Sequence, residues 1–82
     1  MDRAKQRHLE QRFAEADRHV ADGERLLQHQ REAIEERRRD GHDVKLATAL
    51  LAEMEETQRL HIAGRDRIRQ ELAAMRANAA VK

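Results

Sequence analysis

Residues 39–43 read Arg-Asp-Gly-His-Asp, and this stretch decides the fold because it separates two long sequences with helical periodicity. Gly41 fits the left-handed position that follows the last turn of many helices. Asp43 fits an N-cap, where its carboxylate would accept a backbone N–H of the next helix. So short a connection makes two helices antiparallel neighbours. The stretch therefore predicts a helical hairpin with its turn at residues 40–43.

The sequence before the turn repeats every seven residues. Its apolar or small residues alternate in steps of four and three, which is the heptad pattern of a coiled coil rather than the two-residue period of a strand. One line of the heptad contains Phe13, Val20, Leu27 and Ile34, and the other contains Leu9, Ala16, Gly23 and Gln30. We therefore predict a helix over about residues 3–40.

The sequence after the turn follows the same rule and predicts a second helix over about residues 43–78. Its seam residues, seven apart, are Ala47, Met54, His61, Ile68 and Met75. Folding the chain about Gly41 places Phe13 opposite Ile68, and Leu9 opposite Leu72. The same folding brings Gly23 near Thr57 or Gln58, and Ala16 near Gly64, where close packing of the helices is expected.

The predicted fold class is all-α: a single domain over residues 1–82, built as an antiparallel two-helix coiled-coil hairpin. Near the turn the apolar stripe is wider than one seam needs, so a partner should cover the excess. We expect a homodimer that forms a four-helix bundle, or pairing with another coiled coil. The predicted association surface consists of Leu26, Ala33, Leu46, Leu50 and Leu51.

The charge balance argues against large electrostatic partners. Charged residues make up 40% of the 82-residue chain, yet the net charge is +1 and the two signs are interleaved. Such a surface disfavours nucleic acid and anionic lipid. The longest uncharged run, 46–52, is too short to span a bilayer. No apolar stretch follows the first five residues, so we expect no secretory signal and a cytoplasmic protein.

No constellation of residues predicts catalysis, a cofactor, a small-molecule substrate or a metal. The chain has no Cys and no Ser, and it contains no glycine-rich phosphate loop. Glu-x-x-His, the ligand pair of di-iron bundles, is absent at His19 and His61. We therefore expect a non-enzymatic structural or adaptor module that works through helix–helix association.

Two alternatives stay open. Arg37, Arg38, Arg39 and Lys45 could bind nucleic acid, although Glu35, Glu36, Asp40 and Asp43 offset their charge. In the second alternative, His19 and His61 approach each other from opposite helices and bind a metal ion. The interpretation without a metal ion is a pair of seam histidines that hydrogen-bond a carboxylate or water.

Three stretches carry a resemblance to a known group of proteins. They are 19–24 (His-Val-Ala-Asp-Gly-Glu), 39–43 and 61–72 (His-Ile-Ala-Gly-Arg-Asp-Arg-Ile-Arg-Gln-Glu-Leu). Together they resemble a family of short helical hypothetical proteins of alphaproteobacteria, over most of residues 16–72. The resemblance implies a bacterial cytoplasmic protein, and it implies no activity, cofactor or site.

Overall fold

The computed structural model describes residues 3–80 and confirms an all-α helical hairpin. Helix α1 spans Arg3–Arg39 and helix α2 spans Lys45–Ala80. They lie antiparallel along their length in a rod of 65 × 15 × 14 Å. The expected domain of residues 1–82 also includes residues 1, 2, 81 and 82, which lie outside the described part. Compared with the expected bounds, α1 ends one residue earlier, while α2 begins two residues later and continues to residue 80.

The turn has the geometry that its sequence predicts. Gly41 has a φ of 81°, in the left-handed region that favours glycine. Its N–H donates to the carbonyl of Arg38 at 3.1 Å, and the N–H of His42 donates to the carbonyl of Arg37 at 2.9 Å. These are the two hydrogen bonds of a Schellman motif. They satisfy carbonyls at the end of α1 and turn the chain back on itself.

Asp43 caps the second helix from just outside it. Its Oδ1 accepts the backbone N–H of Lys45 at 2.9 Å, which confirms the predicted role of this carboxylate. The carbonyl of Val44 accepts the N–H of Thr48 at 2.8 Å, the first bond of the helical ladder. The helix therefore begins at Lys45 rather than at Asp43, because Asp43 uses its side chain, not its backbone, to satisfy the helix end.

The heptad predicted for α1 is confirmed. Four residues of the two lines are buried, namely Leu9, Val20, Leu27 and Ile34. The other four, Phe13, Ala16, Gly23 and Gln30, are half-buried. Near the free ends, Leu9 packs with Ile68 and Leu72, and Phe13, Ala16 and Met75 pack against this cluster. Leu9 and Leu72 thus meet in one cluster, as predicted, and Phe13 packs against the cluster that contains Ile68.

The seam of α2 differs from the prediction in its middle. His61 is exposed, although its heptad line was expected to face α1, while Gln58 is buried with 5% of its surface exposed. Gln58 belongs to a second line that also contains Leu51, Arg65 and Leu72. This line was missed because two of its four members are polar. Its polar members have partners on α1, and those partners allow them to lie in or beside the seam.

Candidate association surface

The two sides of the seam carry different interhelical contacts. On one side, four residues of α1 spaced by seven each reach α2 through a polar side chain. The pairs are Glu10 with Arg76 at 3.5 Å, Asp17 with Arg65 at 3.3 Å, Glu24 with Gln58 at 3.0 Å, and Arg31 with Glu55 at 3.3 Å. We call this side the paired flank. Its polar side chains already have partners within the hairpin.

The opposite side is lined by a different set of residues. We call it the open flank: on α1 it carries Arg12, His19, Leu26 and Ala33, which are spaced by seven, and on α2 it carries Leu46, Leu50, Glu53, Thr57, Leu60, His61, Gly64 and Glu71. Between His19 and Ala33, no interhelical ion pair joins the described residues along it. Exposed leucines lie there beside one carboxylate, that of Glu53.

Most of the predicted association surface lies on this open flank. Leu46 is 86% exposed, Leu26 61% and Leu50 49%, and Ala33 is also exposed. Leu51 differs from the expectation, because it is half-buried in the seam line that continues through Gln58. Leu60, which is 65% exposed, was missed because it falls outside the apolar stripe read from the sequence.

Three shallow cavities follow one another along the open flank. The one nearest the turn, of about 300 Å³, contains Ala33, Leu46 and Leu50. The middle one, of about 270 Å³, contains Leu26, Leu50 and His61. The third, of about 220 Å³, contains His19, His61 and Gly64. Leu50 lines the first two cavities and His61 lines the last two, so neighbouring cavities adjoin, and we call the row of three the groove.

A buried amide fixes the register of the hairpin beside this groove. Nε2 of Gln58 donates to the carbonyl of Val20 at 2.8 Å and to Oε1 of Glu24 at 3.0 Å. Its own Oε1 is buried and has no hydrogen-bond partner among residues 3–80. A Cβ on Gly23 would lie 2.0 Å from that oxygen. Gly23 therefore makes room for the Gln58 side chain, and the predicted approach of these two residues is confirmed.

Gly64 has no such role within the chain. A Cβ built on it would meet no atom within 4 Å. The expectation that Gly64 allows close packing of the two helices is therefore wrong. A glycine inside a helix costs about 1 kcal/mol relative to alanine, and here no contact of the hairpin compensates for it. Gly64 instead lines the open flank together with Ala16.

The predicted approach of His19 and His61 is confirmed. Their ring centroids lie 6.1 Å apart, and the ring planes are inclined by 45°. Both side chains are exposed on the open flank, whereas the sequence placed them on buried seams. Within the described chain, no group of three or more potential His, Cys, Asp or Glu ligands comes together for a metal ion.

The arginines near the turn are mixed with carboxylates. Arg38 pairs with Glu35 at 3.3 Å. Arg37 lines an opening together with Glu36, Asp40 and Asp43. Arg39 and Lys45 are exposed. The structure thus brings acidic groups to the same end of the rod as the four basic residues, which weakens the field that a nucleic-acid phosphate would meet.

In the described part of the chain, neither helix has a stretch long and apolar enough to cross a membrane. No family model, curated protein or solved structure matches this chain. The resemblance to the alphaproteobacterial family therefore stays a prediction.

Proposed function

We propose that this hairpin is a non-enzymatic structural or adaptor module that works by helix–helix association, and that its open flank pairs with the same flank of a second copy. The observation that carries the proposal is the contrast between a flank closed by polar contacts and a flank with four exposed leucines. An apolar surface of this kind is typical of protein association sites. The expected cytoplasmic location belongs to the same proposal.

The face of the rod that carries the open flank is as large as one side of a standard protein interface. A face of the rod measures 65 by 14 Å, so its footprint is roughly 900 Å², against about 800 Å² per partner in a standard interface. Burial of four leucines from each copy would contribute on the order of 10 kcal/mol, since a fully buried leucine contributes about 1.5–3 kcal/mol. This contribution is comparable with an association cost of about 4–15 kcal/mol.

The distribution of residues along the flank favours one arrangement of the two copies. Apolar side chains lie toward the turn, at Leu26, Leu46 and Leu50, whereas Arg12 and Glu71 lie near the other end. With both turns at the same end, leucines meet leucines, and Arg12 of one copy lies at the level of Glu71 of the other. Turns at opposite ends would place leucines against these charged groups. We therefore propose a four-helix bundle with the two turns together.

Sedimentation equilibrium tests the association directly. We expect the unmodified chain, of 9.6 kDa, to sediment as a dimer at high micromolar concentration. The double variant Leu26→Lys/Leu50→Lys should be a monomer, because it places two charges in the apolar groove. Ala49→Lys is the control for the chemistry of the substitution, since it adds one lysine at an exposed position that lines none of the three cavities. An unmodified chain that stays monomeric would overturn the proposal.

A spin label on the turn tests the arrangement. The described chain contains no cysteine, so His42→Cys provides a single labelling site. Turns at the same end should give a label separation of roughly 20–30 Å, because the axes of packed helices lie about 10 Å apart. Turns at opposite ends should give a separation close to the 65 Å length of the rod.

A further inference from the structure

The two histidines of the open flank lie close enough together to approach one metal ion. Zinc binds imidazole nitrogens at about 2.0–2.1 Å, so two rings bound tetrahedrally to the same ion have centroids roughly 5 Å apart. The centroids of His19 and His61 lie 6.1 Å apart, and a shift of about 1 Å between these two exposed side chains would bring them to that separation. Because the two rings come from different helices, a shared ion would also join the helices.

The surroundings of the pair leave space for an ion and for further ligands. The cavity of about 220 Å³ that contains both rings also contains Ala16 and Gly64. No atom of the hairpin occupies the space beyond the Cα of Gly64. The glycine that the hairpin itself does not need thus lies beside the two imidazoles, where another chain could approach closely.

The arginines near the two histidines have carboxylates beside them, which reduces their repulsion of a cation. Arg65 lines the same cavity, but its guanidinium pairs with Asp17 at 3.3 Å and with Asp66 at 3.2 Å. Arg12 and Arg67 share the cavity with Glu71, which offsets part of their charge. The imidazole donors themselves favour zinc, copper or nickel rather than magnesium or calcium.

Two histidines make only half of a structural zinc site, which has four ligands. His19 and His61 both lie close to the middle of their helices. In the proposed dimer, α1 of one copy lies beside α2 of the other at the same level, so four imidazoles meet at mid-length. Even a dimer with its turns at opposite ends would bring the two pairs together, because a two-fold axis through the middle leaves the central level in place.

We propose that His19 and His61 form a half-site for a transition-metal ion of the zinc class, completed by the same two histidines of a second copy. The inference rests on the proposed dimer through the open flank. The bound ion would hold the two hairpins together at mid-length and fix their register. Binding of the ion should therefore shift the monomer–dimer equilibrium toward the dimer.

Zinc titration of the metal-free chain, prepared without a histidine tag, tests the half-site. We expect one ion for two chains, and a visible spectrum of tetrahedral cobalt when Co²⁺ replaces zinc. His19→Ala and His61→Ala should each weaken binding by at least roughly tenfold, because each removes two of four ligands from the dimer. His29→Ala is the matched control, an exposed histidine of α1 that lines none of the three cavities.

Three results would overturn the half-site. They are no binding at 100 µM zinc, unchanged binding by His19→Ala, and one ion per chain with full affinity in Leu26→Lys/Leu50→Lys. The last result would mean that a single hairpin holds the ion. Sedimentation without metal reports separately on the proposed function. A metal-free dimer that ignores zinc contradicts only the half-site, whereas a metal-free monomer that zinc converts to a dimer supports the half-site and contradicts the metal-free association.

Discussion

The paired flank and the open flank lie on either side of the same seam, yet they have opposite characters. The paired flank places Glu10, Asp17, Glu24 and Arg31 where each reaches a polar partner on α2. The open flank has His19, Leu26 and Ala33 at the equivalent spacing. The charges of an ion pair that joins two helices are satisfied by each other and by water, so the pair gains little from a further protein surface. An exposed leucine gains free energy only when a further surface covers it.

In the proposed dimer, this difference would decide which side of the hairpin associates. Exposed ion pairs contribute only about 0–1 kcal/mol each, so the paired flank adds little stability. Its effect on the proposed dimer would be on orientation, because its polar side chains already have partners within the hairpin. The apolar side is left as the side on which the hairpin can bury more surface.

The largest expected effect separates the seam from the open flank, using two adjacent leucines. Leu27 is 4% exposed and Leu26 is 61% exposed. Leu27→Ala should lower the free energy of unfolding by about 2–5 kcal/mol, as for other buried leucines. Leu26→Ala should change it by less than about 0.5 kcal/mol at concentrations where the chain is monomeric, and it should weaken dimerisation. Urea unfolding over a range of protein concentrations measures both effects. Equal losses in the free energy of unfolding for the two variants at low concentration would contradict the distinction between the seam and the open flank.

The two glycines inside the helices, Gly23 and Gly64, should respond to alanine with opposite signs. Gly23→Ala gains about 1 kcal/mol of helix propensity, but it displaces Gln58 and breaks a neutral and a charge-assisted hydrogen bond, worth about 2–4 kcal/mol together. We expect a net loss of about 1–3 kcal/mol in the free energy of unfolding.

Gly64→Ala is the matched comparison, because its Cβ meets no atom of the hairpin. It should raise the free energy of unfolding of the monomer by up to about 1 kcal/mol. Thermal unfolding of both variants at low protein concentration measures the sign of each change in stability. A gain for Gly23→Ala would show that the Gln58 hydrogen bonds do not hold the register.

The smallest expected effect belongs to the paired flank. The side chains of Arg31 and Glu55 are 45% and 39% exposed, so water and salt screen their attraction. Arg31→Gln should lower the free energy of unfolding by no more than about 0.5 kcal/mol. The charge swap Arg31→Glu/Glu55→Arg should restore the original value. If Arg31→Gln cost more than 1 kcal/mol, the paired flank would be a source of stability rather than of orientation.

The sequence was sufficient to predict both helices, the turn and the seam of α1. Gly41 and Asp43 act through local geometry, which depends only on neighbouring residues. The heptad of α1 can be recognised in the sequence because nearly all its members are apolar or small. The middle of α2 was not predictable in this way, because burial of Gln58 depends on the Val20 carbonyl and on the missing side chain of Gly23. Both lie on the other helix.

The candidate association surface was likewise predictable in part from the sequence. The spacing of apolar residues in the sequence is enough to show that they exceed what one seam can bury. The position of the turn is enough to place His19 and His61 at matching levels of two antiparallel helices. Only the tertiary structure decided which side of the seam these residues occupy. The rotation of each helix about its axis depends on how all the side chains of the two helices pack against one another. That rotation closes one flank with ion pairs and leaves the other open.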